Sequence, residues 1–148
     1  MPARELSFKS AADVNAELDR LARGCDKAGA WDLAQVCDHL DYFLKASLDG
    51  AQFKVPWLIK VLFGGMARRR ILATGKMKSG VPTPQRPLPV AGGDPVAAIA
   101  RLKSTLARFD AHQGEFPDSP FFGPMTTDEV RKVQFTHCAH HLGYLNPR

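Results

Sequence analysis

The chain has 148 residues, of which 45% are hydrophobic and 24% charged, a composition ordinary for a globular protein and sufficient for one domain with its own core. Its N-terminus lacks the apolar run of a signal peptide and no stretch has the length of a membrane span, so we expect one cytoplasmic domain over residues 1–148 without a membrane partner. The three cysteines form no CxxC pair, which predicts reduced thiols.

Two amphipathic helices are predicted in the first third of the chain. Ser10 is a suitable N-cap for a helix that runs to about Arg23, and Asp32 is one for a second helix that ends at Gly50. His39 lies beside the apolar stripe of the second helix, a position typical of a hydrogen-bonded side chain at the edge of a helical core.

The next segment, residues 51–93, predicts a short apolar helix, a bend at Gly64-Gly65 and a second helical stretch, followed by a loop rich in proline and glycine. We expect the large apolar residues of the first stretch to face the core of the protein. These residues are Trp57, Leu58, Leu62 and Phe63.

The positive charge of the chain is concentrated in this same segment. The net charge is +5, and residues 51–93 contain eight basic residues and no acidic one. They are Lys54, Lys60, Arg68, Arg69, Arg70, Lys76, Lys78 and Arg86. Because no nucleic-acid motif or aromatic interleaving accompanies them, we expect a small anionic substrate near at least one of these bases rather than nucleic acid.

Two further helices are predicted in the last third. Asp94-Pro95 begins one that ends near Gly114, with Val96, Ile99, Leu102, Leu106 and Phe109 predicted to form its buried face. Thr126 and Glu129 have the spacing of a capping box for the last helix, which Gly143 should end. Four amphipathic helices without an alternating strand pattern predict an all-α four-helix bundle, with residues 51–93 as a long crossover between the second and third helices.

Two histidines, His137 and His141, occupy the apolar face of the last helix. Residues four apart on a helix have Cβ atoms about 5–6 Å apart, so the two imidazoles can converge on one ion. Binding to a metal and hydrogen bonding within the core both satisfy such a pair. His140 is the rival ligand but points about 100° away from His141, and His112 should face solvent.

Spacing excludes other metal motifs. A zincin protease needs a glutamate directly after the first histidine, where this chain has Cys138. Di-iron bundles need Glu-x-x-His pairs, which the chain lacks, and a zinc finger needs closely paired cysteines. Cys37 and Cys138 are expected to be buried thiols rather than ligands.

Four segments of the chain have the form of known family motifs. The segment Trp31 to Leu40 reads WDLAQVCDHL, and the segments 80–84, 122–126 and 137–142 read GVPTP, FGPMT and HCAHHL. The first is similar to the pattern W-S-x-x-Q-x-x-x-H-L of the DinB/YfiT-like bundle superfamily, and the other three resemble its DUF1569 branch.

This resemblance implies an up-down-down-up four-helix bundle, often dimeric, with a divalent metal, zinc or nickel, held by His39, His137 and His141. It also implies thiol-dependent chemistry in some members. Asp38, Asp41, Gln35 and Tyr144 are the candidates to orient a ligand histidine.

The function expected from these observations is that of a metal-dependent enzyme, a thiol-dependent S-transferase or a hydrolase, acting on a small anionic or electrophilic molecule. A low-molecular-weight thiol is the expected cosubstrate, and no catalytic residue is assigned beyond the ligands. The alternatives are a non-catalytic interaction or stress-response bundle and a basic nucleic-acid-binding module.

Overall fold

The computed structural model describes residues 2–79 and 89–148, which are mostly helical with one small two-stranded sheet. The elements in chain order are α1 (Ala11–Ala22), β1 (Cys25–Lys27), α2 (Leu33–Asp49), α3 (Trp57–Ile59), a π-helical turn (Lys60–Gly64), α4 (Gly65–Thr74), α5 (Pro95–Ala111), α6 (Thr127–Leu142) and β2 (Leu145–Pro147).

The predicted helix starts are confirmed by their capping hydrogen bonds. Three helices begin with a reciprocal capping box, in which the N-cap side chain and the side chain three residues later each bind the other's backbone N–H. These pairs are Ser10 with Asp13, Asp32 with Gln35, and Thr126 with Glu129. The N-cap of α5 is Asp94, whose carboxylate accepts a 2.9 Å hydrogen bond from the Val96 N–H.

The four long helices enclose the core. α2 packs most extensively against α5 and also contacts α6, while α1 contacts both α5 and α6. The largest fully buried side chains come from all four helices and from β2. They are Phe109, Leu18, Leu21, Leu40, Leu44, Leu102, Leu106, Leu142, Leu145, Val14, Val36 and Cys37.

The prediction that Val96 belongs to the buried face of α5 is wrong, because its side chain is 75% exposed. At about 100° per residue, Val96 lies roughly 140° from the direction shared by Ala98, Leu102 and Phe109, so its side chain points away from α2. Ala98 occupies the buried position in the first turn instead.

The small sheet is absent from the sequence-based prediction. β1 and β2 pair antiparallel with Asp26 opposite Asn146, and Arg148 adds an ion pair to Asp26 at 2.7 Å. Each strand has three residues, too few to display an alternating pattern. The pairing ties the end of α6 to the α1–α2 connection.

The apolar stretch that precedes α4 lies on the surface, contrary to the prediction that it faces the core. Trp57 is 72% exposed and Phe63 60% exposed, and Leu58 and Leu62 are exposed too. Gly64 is buried instead, because the Phe121 carbonyl lies where a Cβ atom would stand. The predicted bend coincides with the π-helical turn. The GVPTP motif and Arg86 lie outside the described residues.

The N-terminal segment crosses the end of α6 and brings Arg4 to a buried carboxylate. The Arg4 N–H donates a 2.8 Å hydrogen bond to the Gly143 carbonyl, and its guanidinium donates to Glu17 at 2.5 Å. Glu17 is only 4% exposed and also accepts a 3.2 Å hydrogen bond from Arg20.

Replacing Arg4 with methionine should therefore destabilise the protein by about 3 kcal/mol, since breaking a buried ion pair leaves a desolvated charge. Arg20 remains as a partner for Glu17, which places the effect at the low end of the range for such changes. Lys76→Met is the matched control, because its ion pair with Glu5 is exposed and should contribute less than about 1 kcal/mol. Urea unfolding measures both, and equal losses would contradict the structural role of the Arg4–Glu17 pair.

Candidate metal centre

Three histidines from two helices converge at one point between α2 and α6. His39, His137 and His141 each offer a ring nitrogen, and these nitrogens all lie within 4.8 Å of one another. The four-residue spacing places the rings of His137 and His141 one above the other on α6, and the α2–α6 contact brings His39 against them. The structure therefore brings together the three predicted residues.

The distances within this triad are those of a site that can hold a divalent ion. The Nε2 atoms of His39 and His137 are 3.0 Å apart. Two nitrogens bound to one ion at 2.0–2.1 Å would be about 3.3 Å apart at a tetrahedral angle and about 2.9 Å apart at a right angle. The ring centroid of His141 lies 4.2 Å from that of His39 and 4.7 Å from that of His137. The residues present fit a metal ion.

The triad has one buried side and one side within reach of solvent. His39 is 5% exposed, while His137 and His141 are half-buried. The group contains no carboxylate or thiolate among the residues that the structure describes. Three neutral imidazoles would leave a bound dication with its full charge, which is the electrostatic condition for Lewis-acid chemistry.

Aromatic side chains form the walls of this centre, a feature that the sequence analysis did not assign to the site. The indole of Trp31 stacks on the His141 ring at 5.5 Å between centroids with an interplanar angle of 14°, and lies 4.8 Å from the His39 ring. On the other side, the Phe43 ring meets His137 edge-on at 5.2 Å. The sequence does contain one indication that Phe43 lies at the site, because it follows His39 by four residues and therefore lies next to it on the same helix face.

This wall continues away from the histidines as a cluster of phenylalanines. Phe43 contacts Phe53 at 5.9 Å between centroids, and Phe53 contacts Phe121 at 5.5 Å. Phe53 is buried, although its neighbours in the stretch that follows α2 are exposed or half-buried. The surroundings of the triad are therefore apolar on the side that leads to the π-helical turn.

The two remaining histidines lie outside the triad. His140 packs its ring 4.9 Å from His141 and 5.6 Å from Tyr144, and burial lowers the pKa of His140 below its ordinary value. His112 is half-buried rather than solvent-facing, because its ring lies 4.3 Å from that of Phe116 and its Nε2 atom is 3.1 Å from the Glu115 carbonyl oxygen.

The four residues predicted to orient a ligand histidine make their contacts elsewhere. Asp38 pairs with Arg101, Asp41 with Thr105 and Lys45, Gln35 with the Asp32 cap and the Pro89 carbonyl, and Tyr144 with Ser79. On α2 the carboxylates serve the packing against α5, because Arg101 and Thr105 both belong to that helix. Among the contacts that the structure describes at the triad are those of the aromatic rings of Trp31 and Phe43.

The cysteines of α2 and α6 are buried thiols, as predicted. Cys37 and Cys138 are inaccessible to solvent, and burial raises the pKa of each thiol to about 12. Cys25 is half-buried, and burial raises its pKa as well. None of the three belongs to the convergent group.

Comparisons with known proteins identify the family. Curated proteins and solved structures give no match. The family described as "Protein of unknown function (DUF1569)" matches residues 1–148. Because that match covers the whole sequence, the chain belongs to the DUF1569 family.

Proposed function

We propose that this protein is a divalent-metal-dependent enzyme in which His39, His137 and His141 hold the ion, with zinc or nickel as the metal. The observation that carries the proposal is the convergence of three imidazoles from two helices, with a 3.0 Å approach between two Nε2 atoms. A single ion could bind one ring nitrogen from each of the three imidazoles at once, as in a three-histidine metal site.

The fold proposed for this enzyme is an up-down-down-up four-helix bundle of the DinB type, made by α1, α2, α5 and α6. Its support is the contact pattern, in which α1 and α2 each touch both α5 and α6. Residues 51–93 are then the crossover between α2 and α5, and the metal centre lies in the α2–α6 seam, where bundles commonly place such sites.

The surroundings of the triad suit Lewis-acid chemistry at a site from which aromatic side chains partly exclude water. A dication held there would act as a Lewis acid and lower the pKa of a coordinated water or thiol. Trp31 and Phe43 would fix the orientation of the imidazoles and exclude water from one side. The half-buried rings of His137 and His141 mark the side from which a substrate would approach.

Two reactions fit this arrangement, and they differ in the nucleophile. A low-molecular-weight thiol would give S-transfer to a small electrophile, and water would give hydrolysis. The cysteines on the two ligand helices, Cys37 and Cys138, do not compete for the role, because they are buried and the pKa of each is raised to about 12. The apolar rings beside the triad favour a substrate with a nonpolar portion.

The proposal is tested by offering small electrophiles to metal-loaded protein with and without a low-molecular-weight thiol. Consumption of the electrophile should require both metal and thiol, and should fall at least a hundredfold in His137→Ala, because that change removes a ligand. His140→Ala is the matched control and should keep the activity. Turnover with metal alone would identify a hydrolase. No turnover under either condition would contradict the enzymatic proposal and favour a non-catalytic interaction bundle.

A further inference from the structure

Seven of the nine exposed large hydrophobic residues in the described parts of the chain lie on α3, the π-helical turn and the start of α4. Each of the seven is at least 46% exposed. They are Trp57, Leu58, Ile59, Val61, Leu62, Phe63 and Met66, and we call them the apolar ridge. Contiguous exposed surface of this kind marks an interaction site in a folded protein.

The ridge is anchored to the protein along a narrow line. Gly64 lies against the Phe121 carbonyl, and the Lys60 side chain lies over Gly123. At about 100° per residue in the α-helical parts and about 80° per residue in the π-helical turn, the exposed members cover roughly 200° of the helix circumference. A helix that packs on one folded partner needs an apolar stripe of little more than 100°, whereas an apolar medium can cover a wider arc.

Positive charge flanks the ridge on both ends. Lys54, Arg69 and Arg70 are exposed, and none of them has an ion pair within the described parts of the chain. Arg68 and Lys76, by contrast, pair with Glu129 and Glu5. Residues 51–93 contain no acidic residue at all. The complementary partner is therefore both apolar and negatively charged.

These two properties argue against the other occupants. In a symmetric dimer the same patch meets itself, which would bring these bases towards their own copies. Nucleic acid complements the bases but offers no apolar medium for Leu58, Leu62 and Val61. An anionic lipid surface offers both acyl chains and negative headgroups.

We propose that the apolar ridge docks on an anionic lipid surface, with the helical segment lying in the headgroup region and the flanking bases on the headgroups. No helix among the described residues has the length and apolarity to cross a membrane. The sequence-based expectation of no membrane partner rests on the lack of a spanning segment, which has no bearing on a helix that lies on the surface. The Phe53–Phe121 cluster links the ridge to the wall of the histidine triad, so docking places that centre near the lipid.

The test is flotation of the full chain with vesicles of phosphatidylcholine and phosphatidylserine at 7:3, compared with phosphatidylcholine alone. The protein should float with the anionic vesicles at 50 mM salt and bind at least tenfold more weakly at 500 mM salt. In a Trp31→Phe background the emission of Trp57, the one remaining tryptophan, should shift to shorter wavelength on binding.

Two pairs of variants separate the apolar and charged contributions. Leu62→Ser with Phe63→Ser should weaken binding at least tenfold, because two side chains no longer enter the acyl region. Arg69→Glu with Arg70→Glu should do the same, since each base near an anionic surface contributes about fivefold. Val96→Ser, at an exposed valine of α5, and Arg23→Glu with Lys27→Glu are the matched controls and should bind like the parent.

Several results would overturn the proposal. They are an absence of flotation, equal flotation with uncharged vesicles, and binding unaffected by the ridge variants while circular dichroism shows them folded. Sedimentation equilibrium that shows a dimer lost in Leu62→Ser with Phe63→Ser, without vesicle binding, would assign the ridge to a second copy. Retention on DNA without vesicle binding would assign the bases to nucleic acid.

Discussion

Alanine at His137 or at His141 is expected to abolish stoichiometric metal binding, whereas alanine at His140 is expected to leave it intact. Two of three imidazoles cannot hold a dication at the affinity of three, and His140 lies outside the convergent group. Protein purified without a nickel column, loaded with zinc or nickel and dialysed, should contain about one ion per chain by elemental analysis, and His137→Ala should contain essentially none.

Thermal unfolding gives a second readout that does not depend on activity. At a free metal concentration about a hundredfold above Kd, binding should stabilise the native state by about 2.7 kcal/mol. For a chain of this size that corresponds to a rise in Tm of about 5–10 °C. The rise should disappear with a chelator and in His39→Ala, and should persist in His140→Ala. Loss of metal in His140→Ala with retention in His141→Ala would contradict the ligand set.

The parts of the structure that the sequence predicts well are those specified by neighbouring residues. The Thr126–Glu129 capping box marks the start of α6, and the spacing of residues within that helix decides which side chains share a face with Val130 and Val133. The convergence of His137 with His141 follows from their four-residue spacing on one helix. The position of His39 depends on helix packing, which is why it entered the prediction through family resemblance.

The parts that the sequence does not predict depend on distant partners. Trp31 stacks on His141 although 110 positions separate them in the chain, and no local pattern specifies such a contact. The strands β1 and β2 also depend on residues that are distant in the chain, because segments of three residues become strands only by pairing with each other. Asp38 and Asp41 looked like groups for orienting a histidine, but the approach of α5 gives them Arg101 and Thr105 instead.

The apolar ridge shows a different limit of sequence patterns. Hydrophobicity at Trp57, Leu62 and Phe63 indicates that these side chains favour a nonpolar environment, but it does not say which molecule provides it. The prediction assumed that the protein's own core was the environment, and the structure shows them exposed. A cluster of hydrophobic residues therefore indicates that these side chains contact something nonpolar. The geometry and charge of the surface are needed to identify that partner.

Replacing Phe109 with alanine should destabilise the protein by about 3–5 kcal/mol, the largest effect expected for a single change in the core. Phe109 is fully buried on α5, and its ring lies 5.1 Å from that of Phe116 and 5.9 Å from that of Phe135. Its loss would leave a cavity between α5 and α6 that rigid helices cannot close. Urea unfolding followed by circular dichroism measures the change.

The matched control for this substitution is Phe63→Ala on the apolar ridge. Phe63 is 60% exposed, so the same change of side chain should alter stability by no more than about 0.5 kcal/mol. Comparable losses at the two positions would show that the ridge is buried in solution. The aromatic contacts of Phe109 are with Phe116, Phe135 and the Arg131 guanidinium rather than with the triad, so Phe109→Ala that is still folded should retain metal. Stability and metal binding would then separate, as expected for a core residue that lies apart from the histidines.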